Sequence, residues 1–278
     1  MKSRTSFLTW IQRGLVWSAA VLVCGFLLLI IACILINGLP ALNAGLFSWT
    51  YNTENVSLLP ALINTLVMIA LTLVIVMPAG LGAAIYLNEY TSPDSRTARM
   101  IAAAAEVLSS VPSIVFGLFG SLFFVRFLNM GMSLIAGSLT MAIIILPLIL
   151  RTAQQALSEV PTALREGSYG LGAGKLRTIF CIVLPQALPG ILSGTILAIG
   201  RITGESAALI FTAGTAVAVA GTLSTSARTL AVHMYALASE GLYMQQTWAT
   251  AVILLLMVFI LNGISSLIRR WIQRRHYG

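Results

Sequence analysis

Residues 15–37 read LVWSAAVLVCGFLLLIIACILIN, and this run decides the class of the molecule. It holds no charge from Leu15 to Asn37. As a helix at ~1.5 Å per residue it is about 34 Å long, enough to cross a hydrocarbon core of ~30 Å. Lys2, Arg4 and Arg13 precede it, as basic residues precede a secretory signal. Its apolar core exceeds the about 7–15 residues of such a signal, however, and no small-residue cleavage site follows, so a retained first membrane helix is expected. The remaining composition agrees, with 58% of the chain hydrophobic and 9% charged, against about a quarter charged in soluble domains.

Working outward, further apolar runs predict spans at 60–86, 103–127, 132–151, 187–211 and 247–268. Each must be a helix, because backbone polar groups in lipid have to be satisfied within the segment. The ten-residue alternating strands of a membrane barrel do not occur. The expected fold is therefore all-α and polytopic, with six transmembrane helices. Basic residues segregate accordingly. Lys2, Arg4, Arg13, Arg96, Arg99, Arg151, Arg165, Lys175, Arg177, Arg269, Arg270, Arg274 and Arg275 fall on one side of a six-span chain, and the opposite loops hold only Arg228. The positive-inside rule then puts both termini in the cytoplasm. The net charge of +8 reads as topology plus attraction to anionic headgroups. Its dispersal over four stretches excludes a nucleic-acid partner. Cys24, Cys33 and Cys181 lack metal-ligand spacing and read as small packing residues.

The connection 152–186 is unlike a solvent loop. Around Pro161 the sequence reads as a helix end and a restart capped by Thr162. A short amphipathic helix is expected next, with Leu164, Tyr169 and Leu171 for contacts and Arg165, Glu166 and Lys175 on the polar face. Glu166-Gly167-Ser168 is followed at fixed spacing by Gly172, Ile182, Leu184 and Pro185. The glycine permits a tight turn, and the proline suits the start of the next span. This spacing resembles the E-A-A-x3-G-x9-I-x-L-P loop of permeases in ATP-binding-cassette importers, with Gly167 and Ser168 in place of the two alanines. The resemblance implies a coupling helix seated in a cleft of a cytoplasmic ATPase. The same region imitates a phosphate loop at Gly170-Leu171-Gly172-Ala173-Gly174-Lys175. Tyr169 and Leu176 break the Walker pattern, so ATP hydrolysis, with its ATP and Mg, is expected in a partner. No cofactor is expected here.

The fifth span contains Arg201 and Glu205, charges costly enough in a membrane to face a bundle interior or a water-filled path. Four residues apart, they are expected on one helical face, beside a Gly200/Gly204 stripe. The count from residue 187 places Arg201 past the midplane, toward the outer side. Either the pair neutralises itself and holds helices together, or Arg201 offers its donor fork to a passing oxyanion while Glu205 restrains it. Thr203, Ser206, Glu106 and Ser113 are further candidates for the path. Glu106 could line its inner mouth, snorkel, or pair with Arg99. Pro112 and Pro147 are expected to kink their helices, and Arg126 to reach the headgroups. His233 and His276 read as structural or solvated. Residues 224–246 read as an outer amphipathic helix on which a substrate-binding protein could dock.

Three blocks carry a closer resemblance: Arg201 to Gly214 (RITGESAALIFTAG), Ala84 to Tyr90 (AIYLNEY) and Val111 to Phe119 (VPSIVFGLF). Over roughly 60–270 the chain is similar to A-type permeases of the phosphate-specific transport (Pst) system. That resemblance implies type I importer architecture and alternating access in the inner membrane of a prokaryote. It also implies phosphate as substrate, a homologous C-type permease as partner, two ATPase copies and an extracytoplasmic phosphate-binding protein. It puts Arg165 and Arg201 at positions tied to transport. Another oxyanion such as molybdate or sulfate, or a non-transporting scaffold, are the rival readings. The expected division is a first helix and outer loop (1–57), a five-helix core (58–272) containing the coupling loop 159–185, and a cytoplasmic tail (273–278).

Overall fold

A computed structural model describes residues 2–92 and 95–277, with side chains over 9–92 and 95–271. α1 covers Lys2–Gly38. After a 3-10 turn at Ala44–Phe47, α2 covers Leu59–Ile85 and continues through a π turn, Tyr86–Tyr90. α3 (Arg96–Ser110) precedes α4 (Ser113–Gly120), which a π turn extends over Ser121–Phe127. α5 is Leu134–Ser158, α6 Thr162–Gly170 and α7 Lys175–Thr178. A π turn at Ile179–Val183 joins α7 to α8, Leu184–Gly204. α9 (Ala207–Thr212), α10 (Leu230–Glu240) and α11 (Met244–Tyr277) follow. The side chains of Arg274, Arg275 and His276, in the expected tail, lie outside the described ones, but the backbone there continues α11.

Among the described residues, five runs are long and apolar enough to cross a membrane: Thr9–Gly38, Leu59–Tyr90, Leu134–Ser158, Lys175–Gly204 and Met244–Trp271. The single helix expected over 103–127 is instead a pair, Arg96–Ser110 and Ser113–Phe127, bent by 99°. The cause is Pro112. It has no N–H to give, and it drives the preceding residue out of the helical region, so Val111 is extended at φ −74°, ψ 131°. Each arm is about 22 Å long, short of a ~30 Å core, so the count is six only when the two arms are taken as one broken span. Pro147, also expected to bend its helix, lies buried inside α5 without interrupting it.

The fifth span also differs from expectation. It begins at Lys175 and ends at Gly204, not at 187 and 211. Pro185 is the second residue of α8, but the run as a whole begins earlier; the proline follows the π turn that contains Cys181, whose carbonyl it leaves without its usual donor. The run stops because Glu205 is extended at φ −77°, ψ 126°.

α5 is the axis of the bundle. Its Met141, Ile145 and Ile149 pack with Met68, Ile69 and Val76 of α2 and with Ala198 and Ile202 of α8. Towards the α6 end, Ala153 and Leu157 meet Ala84 and Leu87 on one side and Ala187 and Ile191 on the other. α8 approaches α5 closely through two glycines. A Cβ on Gly190 would stand 2.6 Å from Ala156 Cβ, and one on Gly194 2.1 Å from Thr152 Oγ1. α1 touches this bundle along α11, and its apolar span is otherwise uncovered.

At the opposite end, the α10 end, residues 213–229 fold back into the bundle. The segment is buried at 213–214 and 227–229 and largely exposed between them, and its irregular backbone finds partners on the bundle. The first amides of α5 donate into it, Leu134 N to Thr225 O at 3.1 Å and Ile135 N to Leu223 O at 3.0 Å. Asn64 of α2 brackets the same segment. Its Nδ2 donates to Ala218 O at 3.0 Å, and its Oδ1 accepts from Ala220 N at 3.0 Å.

Candidate functional site

Antiparallel packing of α8 on α5 sets the depth of Arg201. Gly190 is level with Ala156 and Gly194 with Thr152, so the register carries Arg201 to the level of Ile145, near the middle of Leu134–Ser158. Arg201 is therefore not displaced towards the far side as counting from residue 187 suggests; that count misses the stretch from Lys175. Its side chain lines a cavity of about 230 Å³ together with Arg151, Ser109, Leu108, Phe116 and Pro147. The cavity lies in the elbow of α3 and α4, against α5 and α8.

Two guanidinium groups thus share one cavity, and no carboxylate is among its lining residues. Sequence reasoning used Arg151 only as a topology marker, because it sits where the apolar run of α5 gives out. The helix continues to Ser158, which places Arg151 on α5 itself, an exposed residue that lines this cavity. Such an arrangement attracts a planar or tetrahedral oxyanion, since each guanidinium presents a fork of donors.

Glu205 does not pair with Arg201. With the helix ended at Gly204, the two are no longer on one helical face. Glu205 turns to α9, where its Oε1 accepts from Ala208 N at 3.2 Å. Of the other candidates, Thr203 is buried and donates back to Ile199 O at 2.7 Å. Ser206 is the residue from which α9 starts. Ser113 starts α4 beside the cavity, whose lining serine is Ser109 instead. Glu106 is exposed on α3 and makes no ion pair with Arg99; the only salt bridge among the described residues lies elsewhere. Arg126 is exposed near the end of the α4 run.

That salt bridge is at the α6 end. Arg165 Nη2 reaches Glu89 Oε1 at 3.1 Å and Leu157 O at 2.8 Å, and Nη1 donates to Val160 O at 2.6 Å. One arginine of α6 thereby clasps the ends of α2 and α5. Arg165 faces inward, unlike its exposed neighbours Leu164 and Glu166. Lys175 Nζ lies 4.4 Å from the Tyr90 ring centre, a cation–π contact to the same end of α2. Ser168 bonds Thr178 at 2.8 Å, closing α6 onto α7.

The turn between α6 and α7 uses Gly172 at φ +81°, a region L side chains avoid. Pro161, not Thr162, precedes the first turn of α6, and no side chain caps it. Leu184 packs into the bundle against Ala187 and its neighbours, and Pro185 is likewise partly buried. Glu166 and Gly167 face out. So do Leu171, 91% exposed, and Tyr169, Leu176 and Phe180. These side chains make an exposed apolar surface that runs across α6, α7 and the π turn after them.

Comparison with known proteins agrees with this geometry. Residues 76–276 match the family model described as "Binding-protein-dependent transport system inner membrane component". A phosphate transport system permease protein PstA homolog of Mycoplasma pneumoniae is 41% identical over 78% of this chain, which spans only about a third (34%) of that relative's length. PstA of Haemophilus influenzae is 32% identical, over 91% of this chain and 90% of that protein. Among solved structures, an inward-facing MetNI methionine ABC transporter matches with TM-score 0.59 at 21% identity, over 77% of this chain and 93% of the other. A bacterial ABC transporter involved in import of the acidic polysaccharide alginate matches with TM-score 0.63 at 15% identity, over 98% and 100%. The fold is that of ABC importer permeases, and the chain is a multi-pass membrane protein that belongs to the family of binding-protein-dependent transport system inner membrane components.

Proposed function

We propose that this chain is one permease subunit of an ATP-driven importer that carries inorganic phosphate into the cytoplasm. The observation that carries the reading is the cavity shared by Arg151 and Arg201 without a carboxylate. A phosphate mono- or dianion crossing the bilayer loses its water and needs replacement donors near the middle of the path, where the two guanidinium groups stand. Another tetrahedral oxyanion would meet the same forks; the names of the PstA relatives favour phosphate. Glu205, bonded to Ala208 N, is not among the lining residues, which leaves the cavity's positive charge unopposed. Release then has to come from the path changing shape, since no neighbouring anion competes for the arginines.

Charge asymmetry orients the subunit with the α6 end and both termini in the cytoplasm. There the exposed face of Tyr169, Leu171 and Leu176 meets a separate ATPase subunit, with Glu166, Gly167, Ser168, Gly172 and Lys175 shaping that contact. ATP and Mg act in that subunit. Arg165 works on the other side of the same helix, as the brace through which movement of α6 reaches α2 and α5. ATP binding closes the ATPase pair, the brace transmits the closure, and the path opens outward to a phosphate-loaded binding protein. Hydrolysis resets it. The second half of the path comes from a homologous C-type permease, with two ATPase copies completing the complex, and the elbow at Pro112 is the piece of this chain built to move.

Phosphate uptake into proteoliposomes containing the assembled importer tests this. A hydrogen bond from a charged group is worth about 1.5–3 kcal/mol, so Arg201→Ala and Arg151→Ala should each lower uptake by about 10–100-fold while the complex still assembles. Wild-type uptake in both variants would remove the reading.

A further inference from the structure

The α10 end holds a second cation with nothing opposite it. Arg228 is 5% exposed, yet its Nε and Nη2 have no hydrogen-bond partner among the described residues. The one salt bridge among the described residues is Arg165–Glu89, at the other end, and the acids in the surrounding loops, Glu54 and Glu240, are exposed. Buried charges are ordinarily paired. His233 is fully buried one turn into α10, and both of its ring nitrogens are also unpartnered. Both groups touch one ring: the guanidinium lies 4.7 Å from the Tyr51 centre, and the imidazole meets Tyr51 edge-on at 6.2 Å.

We propose that Arg228 and His233 form an extracytoplasmic acceptor site for a tetrahedral oxyanion, closed by Tyr51 in this conformation. The site rests on the phosphate reading above and precedes the Arg151/Arg201 cavity on the way in. Its chemistry fits. The arginine offers the donors of its fork, and a neutral imidazole offers one donor and one acceptor, suited to an anion that keeps a P–OH. The rest of the frame is rigid. Arg228 N donates to Ala216 O at 3.0 Å, and its carbonyl is held by Asn64. The cover is separable. Tyr51 sits in a turn tied chiefly to itself, with Asn55 Oδ1 accepting from Asn52 N and Asn55 Nδ2 donating to Thr50 O, both at 2.8 Å. Lifting that turn exchanges ring contact for oxyanion contact and leaves the bracket on Asn64 in place.

Hydrogen exchange of residues 213–233 in the assembled importer, held in nanodiscs of constant lipid composition, reads this site directly. Inorganic phosphate should slow exchange at least fivefold in the wild type and in Arg201→Gln, and should have no effect in Arg228→Gln. Tyr51→Ala should keep the response and reach it at lower phosphate. Arg228→Lys, which keeps the charge if the glutamine variant fails to assemble, should keep a weakened response. In uptake assays, the KM for phosphate-loaded binding protein should rise at least tenfold in Arg228→Gln. An unaltered wild-type exchange pattern overturns the proposal, as does a response that follows anionic lipid content instead of free phosphate. A raised KM without phosphate protection also overturns it and makes the cluster a docking element. If Arg201→Gln abolishes uptake while Arg228→Gln changes neither readout, only this proposal fails. If Arg201→Gln transports normally but phosphate still protects 213–233, the path reading fails and the outer site stands.

Discussion

His233 shows what burial does to one side chain. Desolvation, reinforced by the charge of Arg228, lowers its pKa from the ordinary 6.5 to about 3. The folded protein therefore keeps it neutral while the unfolded chain takes up a proton below pH 6.5. The folded state loses stability as pH falls, by about 1.4 kcal/mol for each pH unit between those two values. Thermal unfolding of the wild type and of His233→Gln, compared from pH 7.5 to 5, should show the wild type losing more on acidification; parallel curves would contradict the assignment. Arg201 was legible in the sequence because a charge inside an apolar run is costly wherever the helix ends. Arg151 was not, because a charge at the edge of an apolar run looks like a loop residue until the helix is seen to continue past it. The Arg201–Glu205 pair failed for the converse reason. Helical spacing predicts a shared face only while the helix lasts, and Gly204 ends it.

At the scale of elements, the clasp between α6 and the ends of α2 and α5 makes its own prediction. Arg165 and Glu89 are 15% and 5% exposed as side chains, so removing either leaves a mostly buried charge without its partner. Such a change costs about 3–5 kcal/mol in buried pairs. Arg165→Ala and Glu89→Ala should each uncouple ATP hydrolysis from uptake, and the double variant should be no worse than either single one, a coupling as large as either single cost. Strict additivity would show that the pair does not act as a unit. Leu171→Asp tests the other face of the same helix. That side chain is 91% exposed, so the permease should fold normally but lose its ATPase on co-purification. The spans were readable because lipid enforces their length. The 99° elbow was not: Pro112 marks a break, but the angle is set by how α4 packs on α5 and α9, through Gly117 against Ala208 and Gly120 against Thr140 and Thr212.

Across the whole molecule, α1 depends on α11. At their meeting point a Cβ on Gly38 would stand 2.5 Å from both Trp248 O and Val252 Cγ2. Gly38→Leu should push α1 away and lower stability by about 1–3 kcal/mol, seen as a lower unfolding temperature of the purified subunit. An unchanged temperature would mean that α1 is held by something other than this contact. One helix, meanwhile, belongs to both faces of the membrane. Near its start, α2 carries Asn64, which grips the folded-back segment beside Arg228. At its finish, Glu89 and Tyr90 hold Arg165 and Lys175. On the proposed function, a tug applied where a partner spends nucleotide is delivered, along a single rod, to the stretch of chain proposed to greet the incoming anion.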